Sequence, residues 1–131
     1  LKMRLLIDTC VLLWLFADPK AIPSSVREKL IDSSSFLFLS HTSFFEIAIK
    51  YNKGKLELPE PPSILLPRLA AEHGVEPLPL TENVLFRIER LPRHHRDPFD
   101  RLIVAHAMEE GLTIVSADKK LRPYDVPILW D

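Results

Sequence analysis

The chain contains a single cysteine, Cys10, and therefore no internal disulfide. With no Cys-x-x-Cys pair and no His/Cys cluster it also offers no tetrahedral zinc site. A reducing compartment, the cytoplasm, is the expected location. Charge of one sign is not in excess: 17 Lys and Arg stand against 18 Asp and Glu, for a formal net charge of −1. That excludes a strongly basic coat for nucleic acid and argues against disorder, so any grip on nucleic acid has to come from local chemistry. Long apolar runs are missing as well. The longest, Cys10 to Ala17, falls far short of the roughly 20 residues of a membrane span, and no basic segment precedes it, so a soluble protein is expected. No repeat, linker or low-complexity tract is visible. What is present, 131 residues with 47% hydrophobic content, suffices for one substantial core. One domain is expected over residues 3–131, with Leu1 and Lys2 set outside the fold.

Apolar patterning alternates between strands and helices. Arg4 to Ile7 is a short apolar run ended by Asp8-Thr9, and Val11, Leu12, Trp14, Leu15 and Phe16 are dense enough to predict a buried helix. Pro23-Ser24-Ser25 opens a second helix with Val26, Leu30 and Ile31 on one face, followed by a strand at Phe36 to Leu39. A third helix runs from Thr42 to a stop at Gly54. After the proline-rich stretch at 58–62 come a helix from Ile64 to Glu72, despite Pro67, and a strand from Val75 to Leu80 whose Pro77 and Pro79 suit a sheet edge. Thr81 to Arg90 is expected to be helical. Asp97-Pro98 supplies an N-cap and first-turn proline for a long helix ended by Gly111. Strands at Leu112 to Ser116 and Val126 to Trp130, separated by a short helical turn after Asp118, complete an α/β chain with a parallel central sheet and helices on both faces.

In right-handed βαβ units the carboxyl ends of the strands and the amino ends of the following helices share one rim, where open α/β sheets bind ligands. Four acids map to that rim: Asp8 closing the first strand, Glu46 in the opening turns of the third helix, Asp100 in the first turn of the long helix, and Asp118 after the fourth strand. Taken singly, each is explained by helix capping and the helix dipole; Ser43-Phe44-Phe45-Glu46 even matches a capping box. Together they ask for more. Asp8 is wedged between Leu5-Leu6-Ile7 and Val11-Leu12-Leu13, and Asp100 heads the apolar stripe Ile103, Val104, Ala107. A carboxylate ionised there costs several kcal/mol or more unless it is paired or binds a metal. Oxygen-only ligands point to a hard divalent cation, Mg²⁺ or Mn²⁺, and with it to hydrolysis of a phosphodiester.

The same residues carry a family resemblance: Leu6-Ile7-Asp8-Thr9, then Glu46 within Ser43-Phe44-Phe45-Glu46-Ile47-Ala48, then the stretch Arg96-Asp97-Pro98-Phe99-Asp100-Arg101-Leu102-Ile103-Val104-Ala105, then Ser116-Ala117-Asp118. From Met3 to the last strand the chain resembles a PIN-domain ribonuclease of the VapC toxin type, and Asp-Pro-Phe-Asp-Arg is the most specific segment. The resemblance implies a three-layer α/β/α sandwich, a metal-dependent endoribonuclease, a homodimer, and a small antitoxin that neutralises it. It places Asp8, Glu46, Asp100 and Asp118 on the acidic, metal-holding positions. Thr9 and Ser116 resemble supporting hydroxyls, while Asp97 is an additional acid that reads first as an N-cap. An antitoxin tail is expected to set a basic side chain against Asp8 and Asp100.

Arg96, Arg101, Lys50, Lys53 and Lys119 lie near the acids in sequence and can offer phosphate contacts, Arg101 foremost; the alternative is that they are scattered, solvated charges. His94 and His95 read as an exposed loop pair and His106 as distant from the acids, so none is given a role. Trp14 and Phe44 read as core. Single-stranded or looped RNA is the expected substrate. Two other enzyme classes fail on spacing: a haloacid-dehalogenase-type phosphatase needs an acid where Cys10 stands, and a receiver domain needs its phospho-acceptor on the third strand. A free-standing PIN nuclease of RNA processing, or an inactive PIN-fold binding module, remains open at this stage.

Overall fold

The computed structural model describes residues 2–131. Its sheet has five strands, β1 (Arg4–Ile7), β2 (Phe36–Ser40), β3 (Val75–Leu78), β4 (Thr113–Val115) and β5 (Ile128–Leu129). All neighbours pair in parallel, in the order β3-β2-β1-β4-β5. Among the described residues the α-helices are α1 (Thr9–Ala17), α2 (Ser24–Ile31), α3 (His41–Asn52), α4 (Pro62–Glu72), α5 (Glu82–Arg87) and α6 (Pro98–Glu110).

Two cores form because side chains alternate across a strand. Leu5 and Ile7 of β1, with Leu37, Leu39, Val75 and Val115, face Val11 and Leu12 of α1, Val26 and Leu30 of α2, Ile47 of α3 and Leu66 of α4. Leu6 and Ile114 point the other way, onto Ile103, Val104 and Ala107 of α6, together with Leu91, Leu121 and Tyr124. The result is the three-layer α/β/α sandwich expected from the sequence. Continuous apolar strands such as Leu5-Leu6-Ile7 are what a sheet covered on both faces requires, each buried Leu or Ile contributing about 1.5–3 kcal/mol.

The strand order creates the place for a site. From β1 the chain builds outward to β2 and β3, then returns to build β4 and β5 on the other side of β1. A crevice opens at the carboxyl ends of two strands where the winding reverses. Here the two are β1 and β4, with Ile7 opposite Val115, so Asp8 and Ser116 emerge side by side. The Asp8 N–H donates to the Val115 carbonyl at 3.0 Å, fixing the chain as it leaves the sheet.

Several boundaries differ from the sequence-based expectation. Helix α1 is not a buried helix: only Thr9, Val11 and Leu12 are buried, because a helix laid on a sheet presents one side to it and leaves the rest half-covered. Ile31 does not share the buried face of Val26 and Leu30; it is 80% exposed at the end of α2. The capping box at Ser43 is misplaced, since α3 begins at His41 and Ser40 caps it, accepting from the Thr42 N–H at 3.0 Å. Helix α4 starts two residues early, at Pro62, and carries Pro67 on its exposed side. Strand β3 stops at Leu78, just before Pro79, and occupies the sheet edge that its prolines favour. The helix expected over 81–90 is α5 followed by a 3₁₀ turn, Ile88–Arg90, because Leu91 precedes Pro92 and is extended. Strands β4 and β5 are shorter than expected, and pairing at β5 begins only with the Pro127 carbonyl, since proline has no N–H to offer.

Candidate active site

Each acid reaches the crevice from a different element. Asp8 stands at the N-cap position of α1, yet its side chain makes no capping bond. Instead Oδ2 accepts from the Ser116 hydroxyl at 2.6 Å, and Ser116 Oγ in turn accepts from the Asp118 N–H at 3.1 Å. Ser116 thus joins two of the acids. Asp8 is 7% exposed, and burial pushes its carboxyl above the usual range, against the Ser116 and Thr9 hydrogen bonds; the charges of Glu46 and Asp118 push it further. The Thr9 hydroxyl donates to Ser43 Oγ at 2.8 Å, tying α1 to α3.

Glu46 lies in the second turn of α3, 7% exposed, with Lys50 Nζ 2.7 Å from Oε2 one turn on. That hydrogen bond holds the Lys50 ammonium above its ordinary pKa. Asp97 caps α6, accepting from the Phe99 N–H at 2.8 Å, as its N-cap reading requires. Asp100, one turn in, is pushed up to about 7, first by burial and then by the charges of Asp8 and Asp97. Asp118 goes the other way: burial raises it, but hydrogen bonds from the Lys120 N–H and from His95 outweigh this and hold it below the usual value.

Asp8, Glu46, Asp97, Asp100 and Asp118 line one cleft of about 370 Å³, with Thr9, Cys10 and Trp14 on the α1 side. Lys50 is the one cation among its described lining residues. Asp8 and Asp100, 92 positions apart in a sequence of 131, are therefore neighbours that sense each other's charge. Such a set cannot stay fully ionised in the open crevice without a counter-charge. A donor set of carboxylate oxygens, with a carboxyl displaced as far as Asp100, fits a hard divalent cation.

His95, read from the sequence as exposed, is 8% exposed and central to the site. Its Nε2 lies 2.9 Å from Asp118 Oδ2 and 3.2 Å from Asp100 Oδ2. Its Nδ1 accepts from the Asp97 N–H at 3.1 Å, which assigns the ring proton to Nε2 and makes His95 a donor to Asp118, with Asp100 beside it. Histidine is often a metal ligand, and the His95, Asp100 and Asp118 ligand atoms lie within 4.8 Å of one another. With Nδ1 engaged by a backbone donor, the ring is arranged to orient the acids rather than to give Nε2 to an ion. The Tyr124 hydroxyl, accepting from the His95 N–H at 2.9 Å, anchors the loop from behind. The available signal was the spacing: a histidine two residues before a capping aspartate can close a side-chain turn onto that aspartate's N–H.

The remaining residues singled out in the sequence take different places. Arg101 spends donors on the Pro92 and Leu91 carbonyls, at 3.1 and 3.4 Å, and braces the 91–97 loop. Lys53 and Lys119 line no described cleft at the acids, whereas Lys50 does. Phe44 packs on the core as expected; Trp14 does so too, but also forms part of the cleft wall. His106 is buried away from the acids, its Nδ1 2.8 Å from Ser40 Oγ, and burial lowers its pKa.

With this geometry the chain can be set beside known proteins. The PIN domain family model matches residues 5–127. Over 123 residues the chain is 32% identical to "Ribonuclease VapC22" of Mycobacterium tuberculosis, covering 93% of this chain and 92% of that one. Among solved structures, VapBC2 from Rickettsia felis bound to a DNA fragment from its promoter aligns with a TM-score of 0.74 at 17% identity, over 98% of this chain and 100% of that one. DNA-bound VapBC from Salmonella typhimurium aligns with a TM-score of 0.72 at 18% identity, over 97% of each chain. At that identity the solved structures speak for the fold, and the family match and the ribonuclease relative speak for descent. The chain belongs to the PIN-domain family.

Proposed function

We propose that this protein is an endoribonuclease dependent on Mg²⁺ or Mn²⁺, and that it is the toxin of a toxin–antitoxin pair. The observation that carries the reading is the cleft itself: acids from four separate segments meet at the reversal of the sheet, with Asp100 driven to about 7 and a single lysine in reach. The 32% identity to a ribonuclease supports RNA as the substrate, and the VapBC assemblies among the solved neighbours support a cognate antitoxin. It would work in the cytoplasm as a homodimer, as the family resemblance implies.

Asp8, Glu46, Asp100 and Asp118 are the residues that would hold the ion. A bound divalent ion supplies a more acidic water and charge stabilisation at the phosphate. The chain's own contribution is order. Ser116 fixes Asp8 by its hydroxyl, the Ser116–Asp118 link sets the second carboxylate from β4, and His95 aims Asp100 and Asp118 inward. Glu46 is held by Lys50, whose flexible stem lets it release the carboxylate or turn to a substrate phosphate. Asp97, occupied as a helix cap, supports the loop rather than the chemistry.

The test is a cleavage assay on total cellular RNA with Mg²⁺, Mn²⁺ or chelator, comparing the wild type with Asp8→Asn. Cleavage that needs the ion and disappears in Asp8→Asn is expected. Cleavage that survives chelation, or a folded wild type with no nuclease activity under any ion, would overturn the proposal.

A further inference from the structure

The cleft of acids does not end at Asp97. It shares Lys50 and Asp97 with a second cleft of about 660 Å³ lined by His94, Arg96, Phe99 and Lys120. That cleft shares His95 and Arg96 with a third, of about 450 Å³, lined also by Arg93 and Arg101. The charge inverts along this path. The first cleft carries five carboxylates and one lysine, whereas beyond Asp97 the walls carry arginine and lysine with no further acid. Among the described residues Arg93, Arg96 and Lys120 make no ion pair, although acids stand close by. Cations left unpaired beside a cluster of acids are available to an anion from outside.

The part of the first cleft made by α1 differs. It consists of Thr9, Cys10 and Trp14, from a helix whose nine residues include no charged side chain. An anionic strand leaving the acids thus finds cations along the second and third clefts and none on α1. Aromatic surface lies beside those cations: Phe99 lines the second cleft and meets Phe45 edge-on, ring centroids 5.7 Å apart, with Phe45 58% exposed at the surface. A large apolar ring exposed beside a cleft is a candidate contact for a ligand. Phosphate-binding cations beside an accessible aromatic ring are the elements of a single-strand binding surface, where bases stack and the backbone follows the charge.

We propose that Arg93, Arg96, Lys120 and the Phe99–Phe45 pair form a track for single-stranded RNA leading away from the acids. This rests on the ribonuclease reading and adds to it a direction and the residues that hold the strand. A duplex does not fit, because its bases are stacked on each other and cannot be given to Phe99.

The experiment measures binding of a fluorescein-labelled 12-nucleotide single-stranded RNA to the full chain by anisotropy, in chelator to prevent cleavage, across a salt series. Each of Arg93→Ala, Arg96→Ala and Lys120→Ala is expected to weaken binding and to reduce the slope of log affinity against log salt by about 0.7, the single-strand increment per phosphate contact. Lys29→Ala, on α2 and outside the clefts, leaves the slope unchanged. Phe99→Ala is expected to weaken binding about 5- to 150-fold, the effect of losing one stacked base. Phe99→Trp restores binding by keeping a flat ring, which separates stacking from mere loss of folding. A matched duplex competes poorly. Unchanged slopes in the three cation variants, equal competition by duplex, or equally tight binding of a polyglutamate peptide would each overturn the track, the last by marking a protein-docking surface. These results are distinguishable from failure of the ribonuclease reading: a wild type that cleaves with its ion while the track variants bind and cleave normally removes the track alone.

Discussion

Replacing Asp8 or Asp100 by asparagine removes charge from a crowded cleft while keeping shape, so activity and stability are expected to move in opposite directions. Cleavage falls to background in both variants, and their thermal midpoints, measured without divalent ions, equal or exceed the wild type at neutral pH. Asp97→Asn, which can still cap α6, keeps most of its activity. The raised Asp100 carboxyl fixes the sign of a pH effect. Between its ordinary value near 3.8 and about 7 the folded chain holds a proton that the unfolded chain has released. The stability this confers is complete below the lower value and is lost as pH rises through the upper one. Denaturant unfolding in chelator should therefore show a decline over that window, flattened in Asp100→Asn; the same decline in the variant would contradict the assignment. His95→Asn keeps an acceptor for the Asp97 N–H but loses the donor to Asp118 and the imidazole beside Asp100. Calorimetry with Mn²⁺ is expected to show affinity reduced about 10- to 100-fold, as for other groups that orient ligands.

At the scale of elements, the site depends on how β1 and β4 leave the sheet and how α6 begins and ends. Gly111 ends α6 in the left-handed region at φ 64°, where its N–H meets the Ala107 carbonyl and turns the chain into β4. Gly111→Ala is expected to cost about 1–2 kcal/mol in chemical unfolding without altering the acids. The α6 start was legible because Asp97-Pro98 is a local signal complete in four residues. The capping box at Ser43 misled because the same letters occur one turn inside α3, where Ser43 instead takes the Thr9 hydrogen bond. His95 was not legible for a related reason: its surroundings depend on Tyr124, 29 positions away, and on Asp118, 23 positions away. Local chemistry is written in the sequence; partners brought together only by the fold are not.

The whole molecule turns on one topological fact, that the chain reverses its winding between β1 and β4 and so opens a crevice at their carboxyl ends. The acids were readable as a rim set because each sits just after a strand or just inside a helix, and the parallel sheet places all such points on one side. What joins that set to the unpaired cations is tertiary: the loop before α6 and the first turn of α6 share a cleft with Lys50 and Lys120, which are distant in sequence. The central claim is that these carboxyl groups act together on one kind of ion, and equilibrium Mn²⁺ binding near pH 7 tests it most directly. The wild type is expected to bind with release of a proton, as Asp100 gives up the one it holds, and Asp8→Asn and Asp100→Asn should each lose most of the affinity. Binding left unchanged by both substitutions would contradict the account.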